Sequence, residues 1–130
     1  MKNMKLLLDT HTVIWYILDS PRLPDYIRQM LKNGSNEVYV SVVSPWEISI
    51  KSRKGHLNLN QSLSSAVRLL RSRGFRLLPV RQKHVFCLDT LKLHHKDPFD
   101  RMLVAQSLAE NFPLVGNDEV FDLYGIRRLW

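Results

Sequence analysis

Apolar residues recur along this chain in two rhythms. Met4 to Leu8, Val38 to Ser41, Arg76 to Val80, Pro113 to Gly116 and Ile126 to Leu129 are short, apolar-rich runs of strand length. Between them, apolar residues fall at helical spacing: Val13, Ile14, Ile17 and Leu18, then Tyr26, Ile27, Met30 and Leu31. Further helices are predicted over Trp46 to Lys54, Ser62 to Arg73, Gln82 to Leu91 and Phe99 to Asn111. Strands that read as continuous apolar runs and alternate with helices predict an α/β fold, a parallel central sheet flanked by helices on both faces. Such sheets bind ligands beyond the carboxyl ends of their strands, where the topology switches direction.

No repeat, low-complexity stretch or Gly/Ser/Pro-rich linker divides the chain, so residues 1–130 are expected to form one domain. Its 19 Lys and Arg against 12 Asp and Glu leave a formal charge of +7, a field that attracts polyanions. No apolar run reaches the roughly 20 residues of a membrane span, and Asp9 and His11 interrupt the N-terminal one, which argues against a signal peptide. The single cysteine, Cys87, lies in an apolar stretch and is expected to be a buried, reduced thiol, in keeping with a cytoplasmic setting.

The acids stand out against this frame. Asp9 directly follows the first predicted strand, Glu47 lies in Ser44-Pro45-Trp46-Glu47 after the second, and Asp100 lies in Asp97-Pro98-Phe99-Asp100, a near copy of that tetrapeptide. Asp118 comes just past a later strand. If the strands run parallel, all four gather at one sheet edge. Each also has a capping explanation: Ser44 with Glu47 matches a capping box with Pro45 at the first helical position, and Asp97 suits an N-cap before Pro98. Taken together they are harder to read as caps. Converging carboxylates repel one another and favour a bound cation, and hard oxygen donors suit Mg²⁺ or Mn²⁺. Such a site can activate water for attack on a phosphodiester.

Leu6-Leu7-Leu8-Asp9-Thr10-His11-Thr12, Ser44-Pro45-Trp46-Glu47-Ile48, Asp97 through Gln106 and Leu114-Val115-Gly116-Asn117-Asp118 resemble, in order, the motifs of PIN domains. The nearest likeness is to VapC-type toxins of bacterial toxin–antitoxin pairs, and it extends from Lys5 almost to Trp130. The resemblance implies an Mg²⁺- or Mn²⁺-dependent endoribonuclease, cutting RNA, inhibited by a cognate antitoxin and commonly a homodimer. It places Asp9, Glu47, Asp100 and Asp118 at the family's four acidic positions and Thr10 at the hydroxyl position after the first. Gly116 departs from the Ser or Thr that many members carry two residues before the last acid.

Other polar residues have simpler expectations. His11, His84, His94 and His95 lack a zinc-binding spacing, although His11 could face the site. Lys51 has the spacing to pair with Glu47, or to meet an RNA phosphate. Arg101, Lys96 and Lys92, and separately Arg68, Arg71 and Arg73, could touch a nucleic-acid backbone or simply be solvated. Trp15, Trp46 and Phe99 could stack on bases, with core packing the plainer expectation for all three. Two rival readings stand beside the nuclease. One is a haloacid-dehalogenase-like phosphatase, with His11 where such enzymes carry a second aspartate; the other is a non-catalytic basic module that binds RNA or protein.

Overall fold

A computed structural model describes residues 3–130, leaving Met1 and Lys2 of the expected 1–130 domain outside the described residues. Its strands are β1 (Lys5–Leu8), β2 (Glu37–Ser41), β3 (Arg76–Leu78), β4 (Leu114–Val115) and β5 (Arg128–Leu129). Its helices are α1 (Thr10–Ile17), α2 (Asp25–Lys32), α3 (Val43–Arg53), α4 (Leu63–Ser72), α5 (Gln82–Asp89) and α6 (Pro98–Glu110), with a 3-10 helix at Glu119–Tyr124. The strands form one sheet in the order β3-β2-β1-β4-β5, and every pairing is parallel.

Both faces of the sheet are apolar because both are covered. Leu6 and Leu8 of β1 join Val38 and Val40 of β2 against Val13 and Ile14 of α1, Ile27 and Leu31 of α2, Ile48 of α3 and Leu70 of α4. Leu7, pointing the other way, packs with Leu103 and Val104 of α6, Leu114 and Phe121. This period-2 division of a continuous leucine run is what a doubly covered central strand requires.

The predicted strands all form, but β3, β4 and β5 are shorter than their apolar runs. Pro79 has no N–H to continue a ladder, and Val80 is exposed. Helix α3 starts at Val43, earlier than expected, and α5 stops at Asp89. The 3-10 helix is additional to the expected elements; Asp118 caps it, and Gly125 at φ 72° ends it. Cys87 is half-buried on α5 rather than buried. Arg68, Arg71 and Arg73 are exposed, and among the described residues no helix is long and apolar enough to cross a membrane.

The core and the basic face of α4 should respond differently to truncation. Leu103→Ala, at a fully buried position, is expected to lower unfolding free energy by about 2–5 kcal/mol in urea titration. Arg68→Ala, on the exposed face, should shift it by no more than about 0.5 kcal/mol.

Candidate active site

Chain direction reverses across the sheet between β1 and β4. From β1 the chain builds outward to β2 and β3, then crosses by α5 and α6 to β4 on the other side. The carboxyl ends of β1 and β4 therefore flank the crevice where parallel sheets bind ligands. Asp9 stands there, its N–H donating to the Val115 carbonyl at 3.0 Å as the last rung between the two strands.

Asp9 is 2% exposed and held at several points. It caps α1, with the Thr12 N–H and hydroxyl donating to its Oδ1 at 2.8 and 2.6 Å, although the Thr12 hydroxyl also lies 3.0 Å from the Val115 carbonyl. Burial raises the Asp9 carboxyl above its ordinary range; Thr12 and the nearby His11 oppose that rise, and Asp118 adds to it. A Cβ built on Gly116 would stand 2.7 Å from Asp9 Cγ, so the departure from a hydroxyl residue at this position is what leaves room for the carboxylate. Gly116 has no left-handed φ, and its value lies in space alone. Its N–H donates to the Leu129 carbonyl, and its own carbonyl accepts from Arg128, which also forks onto Asp122 at 2.8 and 3.0 Å.

Glu47 does not cap its helix. Ser44, expected as the partner in a capping box, instead shares a 3.0 Å hydrogen bond with Thr10 Oγ1, while the Ser41 hydroxyl accepts from the Val43 N–H. The helix begins one residue before Ser44, which removes the end the box was to close. Glu47 is 4% exposed; Lys51 Nζ holds its Oε2 at 2.6 Å, and its Oε1 is buried with no hydrogen-bond partner. That bond in turn raises the Lys51 pKa.

On α6, Asp97 is the cap, accepting from the Phe99 and Asp100 N–H groups at 2.9 and 3.0 Å. Asp100, one turn in, is pushed up to about 7 by burial first, then by the negative charges of Asp97, Glu47, Asp9 and Asp118. Carboxylates from α3, α6, the end of β1 and the start of the 3-10 helix thus act on one another across one crevice. Asp118 is the most open of the four, exposed and capping through the Val120 N–H at 3.0 Å.

His95 is the site neighbour that sequence reasoning passed over. Arg101 donates to the Tyr124 hydroxyl at 3.2 Å, and that hydroxyl shares a 2.6 Å hydrogen bond with His95 Nδ1. His95 Nε2 is buried, lacks a hydrogen bond and lies 3.6 Å from Asp100 Oδ2. The only sequence signal was the position of His95 in the loop leading to α6. Arg101 also donates to the Lys92 and Leu91 carbonyls, so it ties that loop down rather than offering its charge to a ligand. His84 is a packed core histidine, taking the Arg81 N–H on Nδ1 and meeting Glu110 with Nε2 at 2.7 Å. His11 stacks on Trp15 at 5.6 Å.

Glu47 Oε1 and His95 Nε2 are both buried without a hydrogen bond, and His95 Nε2 lies near Asp100, whose carboxyl is raised first by burial and then by neighbouring negative charge. Buried polar groups are ordinarily satisfied, so these point to an absent occupant. The oxygen donors suit a hard divalent cation. Among the described residues no three acidic, histidine or cysteine side chains are already disposed to hold an ion as they stand.

A parallel α/β domain with an acidic crevice at its switch point is the class that fold and site define. The sequence matches the PIN domain family over residues 6–126, and the chain belongs to that family. This membership displaces the phosphatase alternative. No curated protein matches the sequence. Among solved structures, VapBC2 from Rickettsia felis, bound to a DNA fragment from its promoter, superposes with a TM-score of 0.76 at 18% identity, covering 97% of this chain and 98% of that one. DNA-bound VapBC from Salmonella typhimurium gives 0.75 at 21% identity, with 97% of each chain covered. VapBC-1 from nontypeable Haemophilus influenzae gives 0.72 at 21%, again covering 97% of each.

Two outcomes follow for these acids in the absence of added metal. Asp100 titrates near 7 in the folded chain against an unfolded value of 3.8, so the folded state binds more protons between those values. In EDTA, stability should therefore fall as pH rises through that window and level off above it. Asp100→Asn should flatten the fall, and thermal unfolding profiles that coincide would contradict the assignment. Gly116→Ala should cost about 1–3 kcal/mol by crowding Asp9, a loss that disappears in the Asp9→Ala background when the double-mutant cycle is completed by urea denaturation.

Proposed function

We propose that this PIN domain is a metal-dependent endoribonuclease, the toxin of a toxin–antitoxin pair, hydrolysing RNA phosphodiester bonds at Asp9, Glu47, Asp100 and Asp118. The observation that carries the reading is the placement of these acids together at the sheet's switch point, where burial first and the charges of Asp97, Glu47, Asp9 and Asp118 after it raise the Asp100 carboxyl. The likeness to VapBC structures supports the toxin assignment and an antitoxin partner, and the positive charge of +7 suits an RNA substrate. The resemblance to VapC-type toxins likewise supports a homodimer and a cytoplasmic setting.

Mg²⁺ or Mn²⁺, held by Asp9, Glu47, Asp100 and Asp118, would supply a water nucleophile and neutralise charge building on the phosphate oxygens. The chain's own residues prepare the site. Thr12 fixes Asp9 Oδ1 and prevents the carboxylate from swinging out of the crevice. Lys51 occupies Glu47 Oε2 and leaves Oε1 buried without a hydrogen bond. Asp100, whose carboxyl is pushed up to about 7, would give up its proton to hold a cation there. Asp97 is committed to capping and stays outside the donor set.

The test is incubation of purified, antitoxin-free protein with a panel of RNAs and Mn²⁺ or Mg²⁺. Wild type should cut, EDTA should stop it, and Asp9→Asn should slow it by about 100-fold or more. Equal cutting by wild type and variant would indicate contamination, and intact RNA with both across the panel would end the nuclease reading.

A further inference from the structure

The near-copied tetrapeptides Ser44-Pro45-Trp46-Glu47 and Asp97-Pro98-Phe99-Asp100 lie on the N-terminal turns of α3 and α6, and the fold brings them face to face. Their acids interact electrostatically, Glu47 raising the Asp100 carboxyl. The aromatic residues before those acids also meet: Trp46 and Phe99 pack edge to face, with ring centroids 5.0 Å apart and planes at 89°. An acidic pair and an aromatic pair thus run side by side across the same helix junction.

Among the described residues Trp46 is one of three aromatic side chains that stand open, Tyr26 and Phe86 each being 62% exposed, and of these it is the one next in sequence to a crevice acid. Trp15 and Trp130 are half-buried against each other, whereas Trp46 is 61% exposed, against the expectation that it packs in the core. Phe99 is half-buried and fixes the orientation of Trp46 while leaving most of the indole to solvent. Single exposed apolar side chains are ordinary on protein surfaces, so what marks Trp46 is its place beside Glu47 and its edge-to-face contact with Phe99 rather than its exposure alone.

We propose that Trp46, braced by Phe99, is a stacking platform for an unpaired nucleobase of the RNA strand whose phosphate enters the acidic crevice. The proposal rests on the nuclease reading above. A base suits the position better than a protein surface does. The ring is a single flat face beside a site that takes phosphate, and one nucleotide carries both a phosphate and a base. Stacking is tolerant of sequence and demands a base freed from a duplex, so the platform selects single-stranded over paired RNA.

The test measures binding of a short single-stranded RNA and of a matched duplex by fluorescence anisotropy in EDTA, with gels confirming intact RNA and sedimentation giving the protein mass. Trp46→Ala should weaken single-strand binding by about 5- to 100-fold, the range for loss of one aromatic stack, and leave duplex binding unchanged. The slope of affinity against salt should also be unchanged, because no phosphate contact is lost. Trp46→Phe should restore most of the affinity. If Trp46→Ala binds single strands like wild type and still cuts RNA with Mn²⁺, the platform is wrong and the nuclease reading stands. Equal weakening toward both RNAs, or a changed sedimentation mass with single-strand affinity intact, would overturn the platform, the latter in favour of a contact between copies. Wild type that neither binds nor cuts RNA removes both readings.

Discussion

The electrostatic cost of placing several carboxylates in one crevice organises this molecule. Desolvation and like charge both push Asp9 and Asp100 toward their neutral forms. A fold selected only for stability would scatter such groups over its surface. Here the parallel sheet does the opposite, since every strand presents its carboxyl end to the same edge and the β1/β4 switch places Asp9 and Asp118 there.

The surrounding structure holds this unfavourable arrangement in one geometry. Thr12 joins Asp9 and the end of β4 with a single hydroxyl, and Thr10 meets Ser44 to fasten the start of α1 to the start of α3. Arg128 pins the Gly116 carbonyl from β5 while its charge is balanced by Asp122. Gly116 contributes by having no side chain. Helix N-termini point at Asp9, Asp97 and Asp118, so caps and candidate ligands are not alternatives: Asp9 and Asp118 serve as caps while facing the other acids.

Much of this frame was legible from one sequence because it rests on local patterns. Leu6-Leu7-Leu8 can be continuous only if both sheet faces are covered, and Asp9 after it falls at the carboxyl edge for any parallel arrangement. Glu47 was legible as a position but not as a contact. The Ser44–Glu47 spacing predicts a capping box, yet tertiary packing starts the helix at Val43 and diverts Ser44 to Thr10. The space at Gly116, the approach of His95 to Asp100 and the exposure of Trp46 all depend on pairs distant in sequence, which spacing cannot encode. Short strands were over-read for a related reason, since apolar residues beyond the ladder, such as Pro79 and Val80 after β3, continue the pattern after strand pairing stops.

On the proposed reading, the acids form an incomplete cation site in which protonation of Asp100 substitutes for the missing charge. Calorimetric titration of Mn²⁺ into the protein at about pH 6, in buffers of different ionisation enthalpy, counts the protons released per ion bound. Wild type should bind with release of about one proton, largely from Asp100, whose carboxyl titrates near 7, and Asp100→Asn should bind more weakly with that proton missing. Absence of binding by wild type, or the same proton release from wild type and Asp100→Asn, would contradict the account.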